Sequence, residues 1–326
     1  MNDKTPLVSI MCTAFNHEQY IRQTLESFLM QETNFPFEII VNDDCSTDGT
    51  AAIIREFEEK YPDIFHVFYQ PKNLWSQGVD LYTSLLIPAA KGKYCAYCEG
   101  DDYWTDPTKL QQQFDFMEAH PDYSACVHNT ILHRCRGEEP DHLLLQREGD
   151  YDVEFSNLIA GMESSFHTSS IFAKKEMLLD PPEFYFSSYA YGFLDHPLAF
   201  ILRKRGRIHL INKPMSVYRV DSSANSWSAG VHGTYGKLVR FIHGKIALLE
   251  DVKSFCPPED LPTIDEFILR HEFELMYIEG RDKEQRKPPY NRFLKEKPFS
   301  YRMNNAIKSY LPWVQKAYRR MRGYHE

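Results

Sequence analysis

Short apolar runs alternate with helically spaced segments through the first ~130 residues, and three of the runs stop at a polar cluster. Leu7–Cys12 leads into Thr13–His17, Glu38–Val41 into Asp43–Asp48, and Lys93–Cys98 into Glu99–Asp102; Phe65–Tyr69 is a fourth run. Between them, Tyr20, Ile21, Leu25, Phe28 and Leu29 recur at helical spacing, as do Ile53, Ile54, Phe57 and Tyr61, and then Leu110, Phe114 and Met117. Asn16 with Gln19 reads as a capping box for the first helix, and Asp106-Pro107 as the cap and first position of the third. Strands that alternate with helices imply a parallel sheet covered on both faces. In such sheets ligands bind outside the carboxyl ends of the strands, where all three polar clusters fall.

The chain has 326 residues, enough for one large α/β domain with an appendage or for two modest domains. A hydrophobic content of 43% and a charged content of 25% exclude a disordered chain. No run reaches the ~18–20 apolar residues of a membrane span, and the N-terminus does not read as a secretory signal. Seven cysteines, an odd number scattered along the chain, read as reduced thiols of a cytosolic protein. Past residue 130 the pattern loosens. Arg134–Asp152 reads as a loop, His167–Phe172, Ile208–Ile211 and Ser216–Arg219 as strands, and about Leu194 to Lys204 as a helix. From about Gly230 only helices are predicted, including Tyr235–Val252 and Ile264–Glu279.

Glu99-Gly-Asp-Asp102 places three carboxylates in four positions at the end of a buried strand. Clustered carboxylates raise one another's pKa unless a cation neutralises them, and hard oxygen ligands suit Mg²⁺ or Mn²⁺ beside the phosphates of a nucleotide. An isolated acidic turn would read as a solvated helix cap; the position at a strand end, with Asp43-Asp44 nearby, favours a site. Cys95 and Cys98 form a CxxC whose side chains point to opposite faces of a strand, so they read as core thiols rather than zinc ligands. Trp75, Trp104 and Trp227 read as packing residues, and His167 and His196 as structural ones near the cleft.

Val8–Asn16, Glu38–Thr50 and Gly92–Asp102, in this order and spacing, together resemble the family 2 glycosyltransferases of the GT-A fold over roughly residues 6–225. The resemblance implies a Rossmann-type, mostly parallel α/β sheet flanked by helices, with a helical C-terminal extension. It implies transfer of a sugar, with inversion, from a nucleotide-diphospho-sugar, a UDP-sugar by expectation, using Mn²⁺ or Mg²⁺. The implied division is a glycosyltransferase domain over 1–228 and a helical region over 229–326. Within the domain, about 1–130 would hold the nucleotide-sugar and about 131–228 the acceptor. By position, Thr13, Phe15 and Asn16 match the nucleotide loop, and Asp44 the carboxylate that accepts from the base. Asp101 matches the ribose or metal-side acid and Asp102 the direct metal ligand, while Glu99 stands where many members have a first Asp. Gly192–Leu198 resembles the segment in which an Asp opens a helix, making Asp195 the catalytic base. Tyr218–Asp221 matches a motif that usually ends in His; Arg219 would pair with phosphate, and Asp221 takes the place of the His.

Net charge is −9 overall, yet from Arg281 onward thirteen Lys/Arg face four acids. Ile307, Leu311, Val314, Tyr318 and Met321 form an apolar stripe opposed by Lys308, Lys316, Arg319, Arg320 and Arg322, broken at Pro312. A basic amphipathic tail beside Tyr310, Trp313 and Tyr324 suits an anionic membrane surface, or else packs on its own body. Nucleic acid is not an expected partner, because the body is acidic. The expected whole is a cytoplasmic enzyme, peripheral at the inner face of the cell membrane, that adds sugar to a glycan or lipid-linked acceptor of a cell-surface polysaccharide. The rivals are a sugar-phosphate nucleotidylyltransferase and an inactive membrane- or partner-binding scaffold.

Overall fold

The computed structural model describes residues 5–135, 140–161, 165–189, 195–220 and 235–310. The chain divides into two compact units, Met1–Ala229 and Gly230–Glu326.

In the first unit, β1 (Val8–Ala14), β2 (Phe37–Asp43), β3 (Phe65–Tyr69) and β4 (Tyr94–Tyr97) pair in parallel in the order β3-β2-β1-β4. Helices α1 (Ile21–Leu29) and α2 (Thr50–Lys60), the short turn α3 (Ile87–Ala89) and α4 (Lys109–Ala119) connect or follow these strands. Both faces of β1 are covered. Val8, Ile10, Cys12 and Ala14 join Ile21, Leu25 and Phe28 of α1 in one core, while Met11 on the opposite face is also fully buried. Burial on both faces explains why β1, β2 and β4 read as continuous apolar runs rather than alternating ones. Phe28 packs on Trp104 with ring centroids 4.8 Å apart; truncating such a core ring to Ala costs about 3–5 kcal/mol. Trp104 is thus a core residue, 1% exposed, whereas Trp75 is 40% exposed; Trp227 lies outside the described residues.

The sheet continues from β4 through β9 (Phe172–Lys174), β6 (Tyr123–Arg134) and β10 (Arg207–Val220) to β5 (Tyr103–Trp104). The short β7 (His142–Leu143) and β8 (Tyr151–Asp152) pair with β6 and β10. Strand β9 runs antiparallel to both of its neighbours, and β6 runs parallel to β10. Two expectations are corrected here, and one strand was not expected. His167–Phe172 is a 3₁₀ turn (Thr168–Ser170) before the strand, because Ser170 and Ile171 donate their amides to His167 and Thr168 instead of to a neighbouring strand. The two strands expected at 208–211 and 216–219 are one strand, with register shifts around Pro214, which has no amide for the ladder. The twelve-residue β6 had no counterpart in the sequence reading.

The remaining helices of this unit are α5 (Phe155–Ala160), α6 (Glu183–Tyr189) and α7 (Asp195–Arg205). The second unit holds α8 (Tyr235–Val252), α9 (Leu261–Ile278), α10 (Asn291–Glu296) and α11 (Phe299–Tyr310). Phe273, Phe293 and Leu294 form its small core, with Leu269, Tyr290 and Tyr301 against it. On α11, Asn305 and Ser309 are buried, Ile307 is half-buried, and Phe299, Met303 and Tyr310 stand out to solvent at 67%, 50% and 67% exposure. The predicted stripe from Leu311 to Met321 lies outside the described residues, as do Trp313 and Tyr324. No described helix is long and apolar enough to cross a membrane.

Candidate functional site

The loops after β1 and β2 are stitched together by the side chains of the second. The amides of Asn16, His17 and Glu18 donate to Ser46 Oγ (2.9 Å), Thr50 Oγ1 (2.8 Å) and Asp48 Oδ2 (3.1 Å). Asn16 returns the contact, its Oδ1 accepting the Thr47 amide at 2.8 Å. Asn16 and Cys45 both have left-handed backbone (φ 57° and 65°), which lets the two loops turn toward each other. Asn16 therefore does not cap α1, whose N-cap is Tyr20 with no side-chain cap bond. Likewise α4 begins two residues past the expected position; Asp106 Oδ1 accepts from the Thr108 amide and hydroxyl at 2.8 and 2.7 Å ahead of it. Phe15 is left 41% exposed on the first loop, beside Thr13 at the end of β1.

Asp44 is buried and has both carboxylate oxygens engaged, accepting the amides of Leu74 (2.8 Å) and Trp75 (3.0 Å). It thus fastens the 74–75 backbone beside the first loop, to which its own amide is tied through the Ala14 carbonyl at 2.9 Å.

The acidic turn follows β4 directly. Its Gly100 amide donates to the Thr13 carbonyl (2.9 Å), and a Cβ on Gly100 would stand 2.8 Å from His17 Nδ1 and 3.0 Å from Ala14 Cβ. Only glycine lets the turn close on the β1 loop. Asp102 is 1% exposed: Oδ1 accepts the Arg219 amide of β10 at 2.9 Å, while the buried Oδ2 has no hydrogen-bond partner and lies 3.6 Å from His167 Nδ1. The Arg219 guanidinium is turned under the same loop. It donates to the Asp101 carbonyl (2.6 Å) and to Gln23, and lies over the rings of Tyr103 (4.3 Å) and Tyr20 (5.0 Å).

Glu99, Asp102 and His167 each bring one possible ligand atom within 4.8 Å of the others. Asp101 stays outside this group, more exposed, with Oδ2 3.9 Å from His17 Nε2. Burial, then Asp101 and Asp195, push the partly buried Glu99 carboxyl up to about 8. Burial, then Asp101 and Glu99, hold the Asp102 carboxyl well above the usual range. Burial lowers His167 to about 4 against the opposing pull of Asp195 and Asp101, so at neutral pH its ring is the neutral imidazole that metals bind. The ring stacks on Tyr218 at 4.0 Å, and its Nδ1 lies 2.9 Å from Ser169 Oγ. That hydroxyl continues to Ser216 Oγ (2.9 Å) and Thr130 Oγ1 (3.0 Å). Two crowded carboxyls that burial and like charge drive toward the protonated form, an orphaned Asp102 oxygen and a neutral imidazole form a donor set that fits a divalent cation.

Asp195 is the first residue of α7 and half-buried, where the helix dipole favours a negative charge. Pro197, Leu198, Phe200 and Leu202 anchor the helix behind it. Its charge reaches both Glu99 and His167, which puts it within electrostatic range of the acidic group. Residues 190–194, before it, and Asp221 lie outside the described residues.

Residues 9–172, half of the chain, match the family model described as glycosyl transferase family 2. The chain belongs to this family. Among curated relatives, Rv1520 of Mycobacterium tuberculosis is 43% identical over 121 residues, 37% of this chain and 34% of that protein. The putative teichuronic acid biosynthesis glycosyltransferase TuaG of Bacillus subtilis is 36% identical over 36% of this chain and 44% of its own length. WfaP of Escherichia coli, a UDP-Glc:α-D-GlcNAc-diphosphoundecaprenol β-1,3-glucosyltransferase, is 38% identical over 34% of this chain and 41% of its own. The chain thus spans less than half the length of these three relatives. Staphylococcus aureus TarS, solved with UDP-GlcNAc, superposes with TM-score 0.55 at 18% identity over 96% of this chain and 91% of that one. The mannosyltransferase PcManGT of Pyrobaculum calidifontis, solved with GDP-Man and Mn²⁺, gives 0.56 at 16% identity over 97% and 87%. At these identities the two structures establish the shared GT-A fold, as the sequence resemblance implied.

Proposed function

We propose that this family 2 glycosyltransferase moves a sugar, with inversion, from a UDP-sugar to a glycan or lipid-linked acceptor in the synthesis of a cell-surface polysaccharide. The observation that carries the reading is the Glu99–Asp102–His167 group at the strand ends, two of its members buried, with the Asp195 charge in range of it. The names of TuaG and WfaP support the polymer and lipid-linked acceptor, and the UDP-GlcNAc in TarS supports the base. The donor would occupy the half formed by about residues 1–130 and the acceptor that of about 131–228.

Asp102, Glu99 and His167 would hold Mn²⁺ or Mg²⁺, with Asp101 at the edge; a bound cation would offset charge on the departing diphosphate. Thr13, Phe15 and Asn16 shape the nucleotide side of the cleft, Phe15 offering the open ring face for the base. Asp44 would accept from the base through the second lone pairs of its oxygens, having already fixed the 74–75 backbone against which the base lies. Arg219 holds the acidic turn from beneath, and its charge reaches the phosphates through that turn. Asp195 would take the acceptor hydroxyl proton as that oxygen attacks the anomeric carbon.

The second unit would attach the enzyme to the anionic inner face of the cell membrane, supported by exposed Phe299, Met303 and Tyr310 next to a strongly basic tail. Release of free UDP from a panel of UDP-sugars, in Mn²⁺ and with an oligosaccharide- or polyprenyl-diphosphate-linked acceptor, tests the transfer. No release from any donor would overturn it.

A further inference from the structure

Two phenol groups beside the acidic turn lack what buried hydroxyls require. Tyr97, the last residue of β4, is 1% exposed, and Tyr82 is 9% exposed; the hydroxyl of each is buried with no hydrogen-bond partner. Nearly all buried polar groups in folded proteins are paired, and each exception calls for a cause. Here two exceptions adjoin, with ring centroids 4.9 Å apart.

Both rings are fixed by structure that does not serve the hydroxyls. Tyr97 is in register with Met11 on β1, and its amide donates to the Ile171 carbonyl at 3.0 Å. Tyr82 opens a π-helical turn, Tyr82–Leu86, a wide turn that recurs at functional sites. Buried Asp80 fastens the start of that turn, accepting the Tyr82 amide at 3.0 Å and the Thr83 amide at 3.2 Å. The Tyr82 hydroxyl comes within electrostatic reach of Glu99 and of the Thr13 side chain. Tyr97, at the end of β4, stands two residues before Glu99, so the pair adjoins the acidic turn.

We propose that Tyr82 and Tyr97 form a donor-sugar subsite, holding a pyranose hydroxyl of the nucleotide-sugar. This rests on the donor reading given above. A diphosphate calls for cations or charge-assisted donors. Two neutral phenols, each able to donate and accept, instead match a sugar hydroxyl, which also does both. Their apolar surroundings, Met11 in register with Tyr97 and the two tilted rings, suit the face of a pyranose better than an anion.

The test is calorimetric titration of wild-type protein, Tyr82→Phe, Tyr97→Phe and the double variant with UDP, UDP-glucose and UDP-N-acetylglucosamine in Mn²⁺. The double variant should bind UDP as wild type does while losing about tenfold in affinity for whichever UDP-sugar wild type prefers. Its melting temperature should hold or rise, since only orphaned hydroxyls are removed. Unchanged preference for the UDP-sugar over UDP overturns the proposal, and a lowered melting temperature with that preference intact marks the hydroxyls as structural. A parallel loss for UDP and UDP-sugar overturns it too, by moving the phenols to the nucleotide. Should wild type bind no UDP compound, the donor reading itself fails and takes the subsite with it.

Discussion

The amide of Arg219 donates to Asp102 Oδ1 at 2.9 Å, tying the acidic turn to a strand 117 residues further along the chain. One oxygen of Asp102 is thus structural, while the other, Oδ2, is buried with no hydrogen-bond partner and is the one a cation would take on the proposed reading. Asp102→Asn can keep the first contact and lose the charge. It should fold with a melting temperature equal to or above wild type, because the like-charge crowding with Asp101 and Glu99 is relieved. Mn²⁺-dependent UDP binding should fall by tenfold or more. Asp102→Ala strands the Arg219 amide as well and should cost about 1–3 kcal/mol of stability in denaturant unfolding. Equal wild-type affinity for UDP in Mn²⁺ and in excess EDTA would sink the metal assignment.

Asp195→Asn removes a proton acceptor without changing size. Turnover should drop by roughly 10²-fold or more with donor affinity nearly unchanged, because a general base acts in the transition state. Equal losses in donor affinity and turnover would instead assign Asp195 to binding or to the start of α7.

The metal-free protein should lose stability as pH rises from about 6.5 toward 8. Glu99 is raised to about 8, so between its unfolded value near 4.5 and about 8 the folded state binds the extra proton, and its stabilising contribution fades as pH climbs through that window. His167 acts in the opposite sense and lower down: it resists protonation until about 4, so stability falls as pH drops from about 6.5 to 4. Melting curves should therefore show Glu99→Gln gaining on wild type at pH 8 and matching it near pH 5. Saturating Mn²⁺ should flatten the alkaline decline; a decline equally steep with and without Mn²⁺ would remove Glu99 from the metal group.

Phe299 and Met303 are exposed, so changing both to Ser should leave melting nearly unaltered. The double variant should sediment less with vesicles rich in anionic lipid, and wild-type binding should weaken as salt rises. Wild-type protein that ignores anionic vesicles at low salt would end the membrane reading.

Strands β1, β2 and β4 were legible because each is buried on both faces and reads as one apolar run, as β1 does from Val8 to Ala14; β3, at the sheet edge, is half-buried beyond Phe65 and was legible from its aromatic and β-branched residues. Strand β6 was not, because its centre is His128-Asn129-Thr130, polar residues that are all at most 1% exposed. Asn129 satisfies itself by donating to Leu145 and Asn212 and by accepting the Thr130 and Leu145 amides. Partners of that kind cannot be seen from local sequence. The same limit hid His167 as a member of the acidic group. It precedes β9, which runs antiparallel to β4, and only that pairing brings it to the end of β4 where Glu99 begins. Asn16 was legible as a special position but not in its purpose: its carboxamide joins two loops rather than capping a helix.

The clamp on the acidic turn also orders events in time. Asp102 waits for the Arg219 amide, the Asp101 carbonyl for the Arg219 guanidinium, and the Trp104 indole for the Ser169 carbonyl, 65 residues on. Closing such long loops is slow relative to forming helices and neighbouring parallel strands. A nascent chain that has emerged only as far as residue 206 can already pair β1 with β4, yet its carboxylates lack the strand that holds them. On the proposed reading, nucleotide affinity should appear in a pulse-labelled folding experiment only after β10 has docked.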